Sequence, residues 1–297
     1  MFKSVFRSAP VRGAACMVAA GVLFAIINIL TQGLSQQYHY PSMALAFWQY
    51  GLALVCFVPL FFRLGWKAFH TTRPVQHVVR VVLATIGVQF FVAALTHGVA
   101  VWQVVALDMT SPFLVIVGAH LFLGEKIGFR RGLAAVVGFT GGMLILAPWS
   151  TSFSVYSLFP LGSAIMWASF SLMTKRFVAT ERPEAVTVYL LALLTPINAL
   201  FLAGAGGFSA SAFLPPTGVV LGIIVVLAVL TAASQALLSR AYAFADAAFL
   251  QPFDNVRLPL NIAAGFLVFG TAPHGYLWLG AGLIVLASLS LLKAEAK

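Results

Sequence analysis

Between Ala247 and Phe269 the sequence is apolar over a length that crosses a bilayer, yet it carries Gln251, Asp254, Asn255, Arg257 and Asn261, with Pro252 and Pro259 among them. With about 100° of turn per residue, Gln251, Asp254, Arg257 and Asn261 fall within about 120° of one helix face. An ionised side chain at a bilayer centre costs about 2.5–3.5 kcal/mol on insertion scales, so such groups face protein or a water-filled cavity. Asp254 and Arg257 stand three residues apart, a spacing at which they pair. The pair has two uses. It ties its segment to neighbouring helices, the reading the spacing favours, or it takes the two charges of an amino acid zwitterion. Each proline removes a backbone donor and bends the helix. The segment is therefore a bent polar spoke that other helices must surround.

A second acid, Asp108, lies in a separate apolar segment that holds no base. It is the candidate proton-coupling site; a structural acid hydrogen-bonded near Ser111 is the plainer reading. Neutral polar groups recur at helical spacing elsewhere: Asn28, Thr31 and Gln32; Thr85, Gln89 and Thr96; Ser163, Trp167, Ser171 and Thr174; Thr231, Gln235 and Tyr242. Phe24, at the repeat position matching Trp167, and Phe90, beside Gln89, add flat apolar surface. Trp102 lies near the end of its segment and belongs either to the same surface or to an aromatic belt. The candidate substrate-lining set is thus Phe24, Asn28, Gln89, Phe90, Trp102, Trp167, Gln235, Asp254 and Arg257, with Asp108 for coupling. Nothing in the pattern points to catalysis or a cofactor. Cys16 and Cys56 sit in separate apolar segments, which gives neither a disulfide framework nor a metal site.

The elements that must position these groups are membrane spans. The chain is 61% hydrophobic and 8% charged, with mean hydropathy +1.01; soluble domains are about 25% charged. This is the composition of an all-α polytopic membrane protein. Ten spans are read at about 14–34, 43–62, 76–96, 99–123, 132–147, 158–178, 185–206, 218–239, 247–269 and 275–292. The net charge of +10 does not indicate nucleic acid, because the basic residues stand in short segments between the spans. With the N-terminus inside, the cytoplasmic segments hold every Lys and Arg except Arg257, including Lys3, Arg7, Arg80, Lys126, Arg131, Lys175, Arg240 and Lys297, and the external connections hold none. Both termini are therefore expected in the cytoplasm. Glu125, beside Lys126, Arg130 and Arg131, reads as part of a cytoplasmic charge cluster. His97 reads as a capping or surface residue in an external turn. Spans two, five and ten are plainer and read as peripheral.

The chain repeats itself. Gly21–Thr31 parallels Ala164–Thr174, Thr85 and Gln89 match Thr231 and Gln235, and Asp108 and Pro112 match Asp254 and Pro259, all at nearly one offset. Each half, 1–147 and 148–297, has five spans. An odd number sets the halves in opposite orientations, an inverted repeat within one integrated membrane domain.

Ser111-Pro-Phe-Leu-Val115 followed by Leu123-Gly-Glu-Lys126, with Phe253-Asp-Asn-Val-Arg-Leu-Pro259 and Phe269-Gly-Thr in the second half, resembles the EamA-type members of the drug/metabolite transporter (DMT) superfamily. The resemblance covers the whole chain, although the second Leu-Gly-Glu copy has lost its acid. It is nearest to the YddG-like aromatic amino acid exporters of the bacterial inner membrane. It implies a ten-helix basket with a cavity lined by spans one, three, four, six, eight and nine. It also implies alternating-access export of aromatic and other neutral amino acids. Another metabolite or drug on the same fold is the alternative. An intramembrane aspartyl protease built on Asp108 and Asp254 is disfavoured, because neither acid has a glycine-rich surround and Arg257 opposes a shared-proton dyad. The expected partners are the lipid bilayer and a small-molecule substrate. The residues carry no signal for an oligomeric state.

Overall fold

The computed structural model describes residues 8–97, 107–108, 110–146, 156, 158–205, 214, 217–257, 259–260, 263, 267, 279–280, 282–283, 285–287 and 289. The regular elements within them are helices: α1 Ala9–Tyr38, α2 Ser42–Val55, α3 Val58–Leu64, α4 Pro74–Thr96, α5 Ser111–Leu123, α6 Phe129–Leu146, α7 Leu158–Val178, α8 Pro183–Ala205, α9 Gly218–Phe244 and α10 Ala247–Asp254, with a 3-10 turn at Trp66–Phe69. Five stretches are long and apolar enough to cross a membrane: Ala9–Thr31, Met43–Leu64, Pro74–Phe91, Pro183–Gly204 and Gly218–Phe244. They coincide with expected spans one, two, three, seven and eight. The fifth and sixth expected spans are the helices α6 and α7, and α5 is the latter part of the fourth. Trp102, most of the 148–157 junction, Asn261 and most of the tenth expected span lie outside the described residues.

Local chemistry sets the helix ends. The α1 helix stops where His39 takes a left-handed φ of 48° and its N–H returns to the Leu34 carbonyl. Gly124 does the same for α5, at φ 68° with its N–H on the Ala119 carbonyl. The second expected span is broken between α2 and α3. Pro59 has no N–H for the Val55 carbonyl, and Phe57 N–H turns instead to Leu54 at 3.0 Å. The α10 helix stops at Asp254, followed by a turn at Asn255 and Val256. Pro259 cannot donate to the Asn255 carbonyl, and Leu260 N–H resumes the ladder on Val256 at 3.3 Å. The helix continues through Pro252, and its ladder is interrupted ahead of Pro259.

Among the described residues, the largest helix interfaces are α1 on α9 and α4 on α7, each joining the 1–147 half to the 148–297 half. Helix α2 packs on α8 and α9, α5 packs on α7 and α10, and α10 packs on α1. The α1–α9 approach needs a glycine: a Cβ on Gly13 would lie 2.7 Å from the Ala245 Cβ and 3.1 Å from the Ala241 carbonyl oxygen. Small residues at such a seam let backbones meet. One apolar cluster runs through Ala14, Met17, Val115, Ala119, Ala241, Ala245, Phe249 and Phe253, centred on α10.

Candidate functional site

The start of α10 is held by the other half of the chain. The Glu125 carboxylate accepts from the Ala247 and Ala248 backbone N–H groups at 2.8 and 3.0 Å. Those are orphan donors at a helix N-terminus, where the dipole also favours an anion. Lys175 of α7 donates to the Tyr242 and Ala245 carbonyls at 2.9 and 2.6 Å and so caps the end of α9. Arg131 of α6 pairs with Asp246 at 2.7 Å. The reading of Glu125 as part of a cytoplasmic charge cluster did not include this role: the Leu-Gly-Glu acid is a cap that fixes the direction of α10.

At the other end of α10 stands a polar centre. Arg257 pairs with Asp254 at 3.1 Å, as the spacing predicts. Ser163 of α7 donates to Asp108 at 2.8 Å, so the acid is hydrogen-bonded and its partner comes from another segment. Arg257 is also within electrostatic reach of Asp108, which gives that acid a basic neighbour from another segment. The buried Tyr242 hydroxyl faces Ser171 and Gln251. Gln251 in turn donates to the Ala247 carbonyl at 3.0 Å. Asn255 is buried with its amide against Gly138. Gly21 of α1 leaves room for the Arg257 stem, since a Cβ there would lie 3.3 Å from the Arg257 Cβ. Seven residues on, Asn28 lies on the same line of α1.

The other expected lining residues divide. Trp167 is half-buried, edge-on to Phe170 at 5.9 Å, with its indole nitrogen over Gly87. Phe90 stacks on Phe159 at 6.0 Å and covers Gly162. Both lie at the α4–α7 seam. Phe24 packs with Ile27, Ile224 and Leu227 between α1 and α9. Gln235 is half-buried, and its backbone carbonyl accepts from Thr187 at 3.3 Å. Asn28 is exposed. Gln89 is exposed as well, on a stripe of α4 with Val75, Val79, Val82 and Ile86, a composition suited to lipid. The second span is not merely peripheral: Gln49 is buried and donates to Thr231 at 2.7 Å.

Sequence reasoning missed a buried ionic cluster. Arg80 had been placed among the cytoplasmic loop charges, but it is only 1% exposed. It donates to the Val186 carbonyl at 2.8 Å and Thr174 at 3.3 Å, with Phe170 and Phe177 rings 5.4 Å away. His77 is sandwiched between Phe177 and Tyr189, with Nε2 2.9 Å from Glu181. Thr71 donates to the same carboxylate at 2.7 Å. The only signal in the sequence was helical spacing, which puts His77 and Arg80 on one face. At the other end of α4, His97 bonds the Ala93 carbonyl at 2.8 Å and stacks on Tyr156 at 4.6 Å, a capping role as expected.

Apolar helices packed around paired charges and buried neutral hydroxyls and amides define a multi-pass membrane transporter. The chain belongs to the EamA-like transporter family, whose description matches residues 11–147. It is 49% identical over 295 residues, 99% of this chain and 95% of the relative, to a riboflavin transporter of Rhizobium johnstonii. It is 42% identical to a riboflavin transporter of Vibrio cholerae, over 97% of this chain and 95% of that one. A more distant relative is an S-adenosylmethionine uptake transporter of Rickettsia felis, at 25% identity over 91% of this chain and 88% of that one. A solved crystal structure superposes with a TM-score of 0.76 over 96% of this chain and 97% of the other; at 16% identity it speaks for the fold alone.

These relatives correct the cargo expectation. Proteins matching nearly the whole chain are named riboflavin transporters and not aromatic amino acid exporters. The amino acid cargo is set aside, and export, which rested on the same resemblance, loses its basis. Membership of a transporter family also removes the protease alternative.

Proposed function

We propose that this protein carries riboflavin across the bacterial inner membrane by alternating access around the Asp254–Arg257–Asp108 centre. The observation that carries the reading is the near full-length identity of 49% to a riboflavin transporter. The site's chemistry agrees with it. Riboflavin is an uncharged planar ring system with a polyhydroxyl chain. Carboxylates, a paired guanidinium and the neutral groups of Gln251, Tyr242, Asn28 and Gln235 suit hydroxyls without asking for a charged cargo. Trp167, Phe90, Phe24 and Trp102 are the candidate ring surfaces. Gln89 is the weakest member of the lining set, given its exposed stripe.

The test is counterflow in proteoliposomes with labelled riboflavin, phenylalanine and S-adenosylmethionine. Riboflavin should exchange fastest; faster exchange of either competitor would overturn the cargo. Loading the label inside or outside reads the direction.

The transport architecture proposed is the ten-span inverted repeat of residues 1–147 and 148–297. Its support is the pairing of interfaces. Exchanging span one with six and three with eight turns the α1–α9 contact into the α4–α7 contact, and these are the two largest among the described residues. Both termini then face the cytoplasm. Single cysteines at Ser4, Ser154 and Ala296, with Cys16 and Cys56 replaced, check this. An impermeant reagent on intact cells should label position 154 alone; labelling at 4 or 296 would sink the topology.

Asp108 is the proposed coupling acid. It sits beside Ser163 with Arg257 in reach and could gain or lose a proton during the cycle. Any dependence of riboflavin flux on a pH gradient should disappear in Asp108→Asn. A dependence that survives intact would move the coupling role elsewhere.

A further inference from the structure

The polar centre also bears on the charge of the cargo, an argument that rests on the flavin reading and narrows it. Asp254 is paired with the one guanidinium there, and the second carboxylate, Asp108, is bonded to Ser163. Arg257 is 3.1 Å from Asp254 and within electrostatic reach of Asp108. Counted by residue type, the centre holds two acids and one base, so it carries no surplus of positive groups. Four other described bases are engaged away from this centre. Lys175 caps α9, Arg131 holds Asp246, Arg240 holds Glu184, and Arg80 is bonded to Val186 and Thr174. The sequence holds no Lys or Arg in residues 81–125, 132–174, 183–239, 241–256 or 258–292.

We infer that the site accepts the uncharged flavin and rejects its 5′-phosphate, so that charge and not ring shape bounds the substrate class. A phosphate monoester carries about −1.5 to −2 near neutral pH. Its recognition draws on Arg or Lys donors free to bind it, most strongly in the two-pronged Arg geometry. Here the phosphate would have to strip Arg257 from Asp254 and then sit beside two carboxylates. That like-charge juxtaposition is unfavourable. The riboflavin chain makes no such demand: its hydroxyls donate to the carboxylates and accept from the guanidinium, and the ion pair stays intact. Repulsion thus separates two ligands that share one ring system.

The experiment compares labelled riboflavin and riboflavin 5′-phosphate in counterflow through the wild-type protein in proteoliposomes. The phosphate should exchange about 100-fold more slowly, a gap on the scale of an unfavourable charge contact. In Asp108→Asn the ratio of phosphate to riboflavin exchange should rise about tenfold. A second measurement needs no variant. Quenching of flavin fluorescence by the purified wild-type protein should show riboflavin binding more tightly than its phosphate by about the same 100-fold. Comparable exchange or binding of the two ligands overturns the inference while leaving the flavin reading in place. A protein that exchanges no riboflavin overturns both.

Discussion

Glu181→Ala is expected to cost about 1–3 kcal/mol of stability, the range for leaving buried hydrogen-bonding groups unmatched. Glu181 accepts from His77 and Thr71 and is the acid whose field acts on Arg80. Without it, Arg80 is left 1% exposed with no compensating anion, and the His77 ring loses its Nε2 partner inside a Phe177–Tyr189 sandwich. The cluster joins α4 to α7 and α8, so the loss falls on one of the two largest contacts between the halves among the described residues. Arg80→Met should rescue much of the loss, because the double variant buries no unpaired charge. Melting temperatures in detergent for the two single variants and the double complete a cycle. A Glu181→Ala protein as stable as wild type, or a double variant worse than the sum of the singles, would overturn the account.

Arg257→Ala should also lower the melting temperature more than the combined change Asp254→Asn with Arg257→Gln. Removing the guanidinium alone leaves the Asp254 carboxyl without its partner, whereas the double change replaces both groups with neutral amides. The cost of leaving a buried polar group unmatched is about 1–3 kcal/mol. The 38% exposure of the Arg257 side chain puts the expected effect at the low end of that range. An Arg257→Ala variant with wild-type stability and no riboflavin counterflow would show that Arg257 serves the cargo and not the helix bundle.

The span pattern was legible because hydropathy is a local property. A window of about twenty residues either is or is not apolar enough to span, and α1, α4, α7, α8 and α9 fall where the windows place them. The Asp254–Arg257 pair was legible for the same reason, since three residues on one helix fix its geometry before any packing. The interruption after Asp254 follows from Pro259, which removes the same donor in any context. Cargo was not legible. Neutral amides, hydroxyls and aromatic rings suit an amino acid as well as a flavin, and the choice came from full-length relatives.

What only the tertiary structure decided lies in contacts between residues far apart in the chain. Glu125 and Ala247, His77 and Glu181, and Ser163 and Asp108 each bring different segments together. Periodicity tells which face of a helix is polar but not which helix that face meets. Arg80 therefore looked like a loop charge although it is buried, and Asp108 looked unaccompanied although Arg257 of another segment reaches it. The sequence alone determined that Asp108, Asp254 and Arg257 stand within apolar segments, where each charge is costly. Helix packing decided which charges neutralise one another, because that depends on side-chain distances that exist only after the halves have closed on each other.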